Sequence, residues 1–220
     1  WTGDNRASWA HLAATTPMLL SLSVAGIPFV GADVGGFFGN PQPELLVRWY
    51  QAAVFHPFFR AHAEFQTKRR EPWLFGEPYT GHIRAAIRER YALLPYLYTL
   101  FWGAAKNGTG IMNPMWVEFP QDESTFALED QFMIGSSIMV APVLKAGVSA
   151  VTPVFPAGST WYHFPSGEAF PRGWGRGGNS VRVKLGDVPV FYRAGAIVPR
   201  RERARRSSDA MTADPYTLIV

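Results

Sequence analysis

Two short apolar runs, residues 26–30 and 55–59, each stop at a cluster of polar residues and glycine, and each leads into a stretch of helical spacing. An apolar run with polar groups only at its C-terminal end, returning through a helix, describes one unit of a (β/α) barrel. The active site of such a barrel lies at the C-terminal face of its strands. Runs without apolar–polar alternation fit strands buried on both faces. The intervening segments fit the crossover helices. Residues 8–23 carry Trp9, Leu12, Met18, Leu19, Leu20 and Leu22 at helical spacing despite Pro17. Pro43 stands where it would start a helix over residues 43–53. Residues 83–105 form a long amphipathic pattern with a kink expected near Pro95.

A whole barrel takes about 250 residues, so residues 1–136 hold only part of one, and the chain is expected to begin inside a domain. Past residue 137 the texture changes. Short strand-like runs at 138–143, 151–155, 160–164, 180–185, 190–192 and 196–198 are separated by Gly and Pro turns. That spacing predicts an antiparallel β-sandwich domain over residues 137–220. The fold class is therefore α/β: the C-terminal part of a (β/α)8 TIM barrel followed by an antiparallel β-sandwich. Residues 170–178, with four Gly and two Arg, read as a loop.

Composition narrows the function classes. A hydrophobic content of 47% excludes a disordered chain. Eight Trp and sixteen Phe suit an enzyme that stacks rings on sugar faces, although most must serve the core. Without cysteine there are no disulfides and no thiolate zinc site. No apolar run approaches the roughly 18 residues of a membrane span. Much of the net charge of +4 comes from residues 200–206, which include five arginines. With no interleaved stacking motif, this basic run reads as a solvated surface segment and not as a nucleic-acid site.

Three polar clusters carry the chemistry. In Trp1-Thr2-Gly3-Asp4-Asn5 a carboxylate stands beside an indole that can cover a sugar face and an amide that can bind hydroxyls. Gly31-Ala32-Asp33-Val34-Gly35-Gly36-Phe37-Phe38 and Phe59-Arg60-Ala61-His62 follow. The Gly35-Gly36 pair permits a sharp turn or a close backbone approach, but neither phosphate-loop spacing is present. His56 and His62 are six apart and lack the spacing of a zinc helix, so neither metal nor cofactor is expected. Asn107-Gly108-Thr109 is a glycosylation sequon.

These three clusters, in this order, resemble glycoside hydrolase family 31. Residues 43–51, 69–73 and 205–208 ahead of Asp214-Pro215 resemble its neutral α-glucosidase subgroup. The resemblance spans essentially the whole chain. It implies cleavage of terminal α-linked glucose with retention, from N-linked glycans. It also implies a location in the endoplasmic reticulum lumen and a lectin-like β subunit as partner. Asp4 matches the general acid/base, a group that must hold its proton above the ordinary Asp range, raised by a neighbouring negative nucleophile. Trp1, Asp33, Phe37, Arg60 and His62 match residues of the glucose pocket, with Arg60 bracing Asp33 and His62 binding a hydroxyl.

The family's nucleophilic Asp lies in a Trp-Asn-Asp-Met-Asn-Glu-like segment that residues 1–220 do not contain. The chain by itself is accordingly expected to be inactive. Asn113 stands where many family members carry Arg before the proline, which implies altered packing near the barrel's last strand. A starch- or maltose-type α-glucosidase and a non-catalytic carbohydrate-binding or interaction module of the same fold remain open.

Overall fold

The computed structural model describes residues 1–170 and 180–220. Residues 171–178 of the expected glycine-rich loop lie outside the described residues. Helix α1 (Trp9–Val24) starts at Ser8, whose Oγ accepts the His11 N–H at 3.3 Å. Strand β1 (Asp33–Val34) precedes helix α2 (Pro43–Ala53), which has Pro43 in its first turn. Strand β2 (Arg60–Ala61) is followed by helix α3 (Tyr79–Asn107), with Pro95 inside it and Gly108 closing it at φ 70°. Strands β1 and β2 pair in parallel, Asp33 opposite Arg60. Beside them, Arg6 bridges Phe38 in parallel and Thr2 N–H donates to Gly31 C=O at 3.1 Å. Three consecutive segments thus lie side by side in the parallel sense of a barrel wall.

The two expected apolar strands are largely unpaired, and their backbones say why. Pro28 has no N–H to give, and residues 26–30 receive a single sheet-like bond, Phe58 N–H to Val30 C=O at 2.8 Å. In residues 54–57 the carbonyls of Val54, His56 and Pro57 are taken at 2.7–2.9 Å by the Arg90 guanidinium from α3. The N–H groups of Val54, Phe55 and His56 are spent on Tyr50, Ala52 and Ala53 in the turn that ends α2, so they have none to give a ladder. Strand pairing begins only at the polar clusters themselves.

The second half is built on one six-stranded sheet in the order β3-β4-β5-β10-β7-β8. Its strands are β3 (Met112–Asn113), β4 (Phe132–Ile134), β5 (Ile138–Val140), β7 (Trp161–Phe164), β8 (Ala169–Phe170) and β10 (Val190–Arg193). Two small antiparallel pairs flank it: β6 (Ala150–Val151) with β9 (Val181–Arg182), and β11 (Val198–Arg200) with β12 (Thr217–Ile219). The expected junction at 136/137 falls in the β4–β5 turn. The sheet itself begins earlier, with β3.

Both faces of the sheet are buried. Phe132, Ile134, Ile138, Val140, Val190 and Tyr192 join the core of α1, α2 and α3. The alternate residues Met133, Met139 and Phe191 join Trp161, Phe155 and Phe170 in a second core. Period-two alternation with apolar residues on both faces explains why these strands read as continuous apolar runs.

Polar side chains fasten helices to sheet. Arg48, 2% exposed on α2, donates to the carbonyls of Asp187 at 2.9 Å and Lys184 at 3.1 Å. Gln51 donates to Leu185 C=O at 2.8 Å. Arg200 corrects the expectation for the basic run. It is 2% exposed, is held by both carboxylate oxygens of Glu89 on α3 at 2.6 and 2.8 Å, and also reaches Glu202 and the Tyr192 hydroxyl. The run begins in the interior because its first arginine has two carboxylates to neutralise it. Arg205 pairs with Asp214 through two bonds of 2.9 and 2.6 Å. Asn113 sits in β3, at the edge of the six-stranded sheet, and donates to Gly110 C=O at 3.3 Å.

Candidate active site

Parallel pairing of β1 with β2 sets Asp33 directly beside Arg60. Arg60 Nη2 donates to Asp33 Oδ1 at 2.5 Å, and the Asp33 side chain is wholly buried. The Arg60 guanidinium lies between two rings, 5.1 Å from the Phe58 centroid and 5.5 Å from that of Trp1. A single cation therefore ties the buried carboxylate to an indole that is 60% exposed. Asp33 Oδ2 and Arg60 Nε are buried without a partner, which leaves one acceptor and one donor in reserve at this point.

Asn5 does something other than the hydroxyl binding expected of it. It is buried, its Nδ2 donates to Asp33 C=O at 3.1 Å, and its Oδ1 accepts from Phe37 N–H at 2.7 Å. Its own C=O accepts from Phe38 N–H at 2.9 Å. The amide is used up in joining the first cluster to the second, so it holds the site's backbone in register.

Glycine is required next to it. Gly36 has φ 84°, and a Cβ there would fall 2.3 Å from the Ala7 nitrogen and 2.4 Å from the Arg6 carbonyl carbon. The close approach is to the chain's own first segment.

The third cluster closes against the second. The Phe37 and His62 rings lie 5.3 Å apart at 33°, and Phe37 C=O accepts from Glu64 N–H at 3.1 Å. Arg70, which sequence reasoning gave no role at the site, joins both loops. Its Nη1 donates to Gly35 C=O at 2.9 Å, and its Nη2 reaches Gly36 C=O and His62 C=O, the latter at 2.7 Å. Burial lowers its pKa, partly offset by Tyr50 and Asp33. Only the Arg69-Arg70 doublet could have pointed to it, because its partners are backbone carbonyls that leave no mark in a sequence.

Five of the six expected site residues, Trp1, Asp33, Phe37, Arg60 and His62, are joined in one patch, and Asp4 adjoins it only as the chain neighbour of Asn5. Trp1, Arg60 and Asp33 touch in a row; Asn5 links Asp33 to Phe37; Phe37 faces His62. Asp4 is exposed in a bend between Gly3, at φ 78°, and the anchored Asn5. Its carboxylate has no hydrogen-bond or ion-pair partner among the described residues. The patch offers a free carboxylate, two ring faces, an exposed imidazole and a rigid charged floor, which is a set suited to sugar chemistry. No three His, Cys, Asp or Glu among the described residues lie together as a metal site.

His56, near the base of this region, is 1% exposed, and neither ring nitrogen has a partner. Burial, assisted by the nearby Arg90 charge, pushes its pKa down to about 3. The imidazole is neutral.

Comparison with known proteins gives a consistent result. The model of the glycosyl hydrolases family 31 TIM-barrel domain matches residues 1–100, and that of the family's C-terminal domain matches residues 108–198. A probable glucan 1,3-alpha-glucosidase of Arabidopsis thaliana is 50% identical over 222 residues, covering 100% of this chain and 24% of its own length. Neutral alpha-glucosidase AB of Mus musculus is 51% identical over 221 residues, covering 100% of this chain and 23% of its own. The crystal structure of an ER glucosidase II heterodimeric complex, of catalytic subunit and the binding domain of the regulatory subunit, superposes with a TM-score of 0.96 at 44% identity. It covers 100% of this chain and 24% of that one. The chain thus spans about a quarter of the length of the curated relatives it matches. With both of the family's domain models matched in order along it, the chain belongs to glycoside hydrolase family 31.

Proposed function

We propose that the enzyme carrying these residues is a retaining α-glucosidase that removes terminal α-linked glucose from N-linked glycans. The observation that carries the reading is the continuous patch from Trp1 through Arg60, Asp33, Asn5 and Phe37 to His62, with the unpaired Asp4 carboxylate at its edge. Asp4 is the general acid that protonates the departing oxygen and then the base that activates water. Trp1 and Phe37 cover sugar C–H faces, and His62 hydrogen-bonds a hydroxyl. Asp33, buried and braced by Arg60, shapes the floor of the glucose subsite.

Retention needs another carboxylate about 5–5.5 Å from the acid, acting as nucleophile. Asp33 is unsuited to that task, being buried and neutralised by Arg60 at 2.5 Å. The nucleophile therefore comes from outside residues 1–220, and this chain alone turns over no α-glucoside. The similarity to glucosidase II supports a lumenal enzyme paired with a regulatory subunit. Among the described residues no helix is long and apolar enough to cross a membrane.

The test is the anomer released first. Proton NMR of the active enzyme with an α-glucoside should show α-glucose appearing before mutarotation. Initial β-glucose would overturn the retaining assignment.

A further inference from the structure

We propose that Asn107 is an N-glycosylation site of the mature protein. The sequon Asn107-Gly108-Thr109 has glycine and not proline in its middle position. Its placement now adds what the triplet alone lacks. Helix α3 ends at Asn107, and Gly108 follows in the left-handed conformation at φ 70°, its N–H returning to Ala104 C=O at 3.0 Å. Residues 105–109 are all exposed. The Asn107 side chain has no hydrogen-bond partner among the described residues, so its amide is not committed to the fold. The glycine turn swings the chain back until Thr109 Oγ1 lies 3.2 Å from where a Cβ on Gly103 would stand.

The position is also compatible with activity. Helix α3 starts after the loop that carries His62 and Arg70, and Asn107 is its last residue. Phe101 on α3 meets Phe29, which meets Phe58 beside Arg60, and Asn107 is six residues further on, about 9 Å along the helix past that contact. A bulky, solvated glycan there leaves the candidate site open.

The modification joins Asn107 Nδ2 to C1 of the first sugar of a lipid-pyrophosphate-linked oligosaccharide. The C1–O bond to the pyrophosphate breaks, the lipid pyrophosphate departs, and one amide proton is lost to the transferase's base. No oxidant or reductant is consumed. The inference rests on the lumenal location proposed above, since the donor and its membrane transferase act on chains entering the secretory pathway.

The test is peptide mapping of the enzyme purified from its own source, with and without peptide N-glycosidase in 18O-labelled water. The Asn107 peptide should be recovered carrying hexose and N-acetylhexosamine mass, and should convert to 18O-labelled Asp on enzymatic release. Expressed in secretory cells, Asn107→Gln and Thr109→Ala should each lose the same glycosidase-sensitive gel shift, Thr109→Ser should keep it, and α-glucoside turnover should be unchanged in all three. An unmodified Asn107 peptide from a preparation that hydrolyses α-glucosides overturns the site and leaves the activity standing. A glycosylated Asn107 in a preparation that hydrolyses none supports the site and overturns the activity.

Discussion

Acidification should destabilise this protein through His56, and the size of the effect follows from its burial. The imidazole is 1% exposed with both nitrogens unpartnered, and its pKa falls from the ordinary 6.5 to about 3. Between those two values the unfolded chain binds a proton that the folded one refuses. The folded-state advantage is thus complete above pH 6.5 and is lost as the pH falls toward 3. At about 1.4 kcal/mol per pH unit, the loss at pH 5 is about 2 kcal/mol.

The segment at stake includes the Val54, His56 and Pro57 carbonyls held by Arg90, and it leads directly into Arg60 and His62. Charging His56 therefore loosens the floor of the site. The assay is urea unfolding followed by tryptophan fluorescence from pH 7.5 to 5, on the wild type and on His56→Leu. Leucine cannot titrate and leaves no orphaned nitrogen, so the variant should be near neutral in stability at pH 7.5 and lose most of the slope below pH 6.5. Equal slopes in the two proteins would refute the reasoning.

Three further outcomes follow from named contacts. Arg70→Ala removes charged donors from three site-loop carbonyls, and kcat in the active enzyme should fall about 10- to 100-fold with little change in melting temperature. Gly36→Ala drives a methyl into the Arg6–Ala7 backbone at a positive φ and should cost about 3 kcal/mol or more, read as a lowered urea midpoint. Arg200→Met strands Glu89 and Glu202, both partly exposed, and should cost about 2–4 kcal/mol, a melting-temperature drop on the order of 5–10 °C.

The three motifs are legible in the sequence through their resemblance to the family, because each is a contiguous short string at the end of a barrel segment. The Arg60–Asp33 brace is expected from the guanidinium's donors together with the family resemblance, and the two groups do meet at 2.5 Å. What escaped was anything whose partner is backbone. Arg70, Arg90 and the Asn5 side chain all bind peptide groups, and peptide groups look alike at every position. Strand β2 is shorter than the apolar run suggests because residues 54–56 complete the turn that ends α2 through backbone bonds to residues 50–53. Strands β3, β4, β8 and β12 do not show in the sequence because two or three residues outside a longer apolar run set no period, and Arg200 reads as solvated because its partner Glu89 is 111 residues away.

The central claim is that Asp4 delivers the proton to the leaving group. Kinetics of Asp4→Asn in the active enzyme should be compared on two substrates, a glucosyl disaccharide and an α-glucosyl fluoride whose leaving group needs no such help. The glucosylation step should slow about 10²- to 10⁴-fold for the disaccharide and far less for the fluoride. Equal losses on both, or none on the disaccharide, would contradict it.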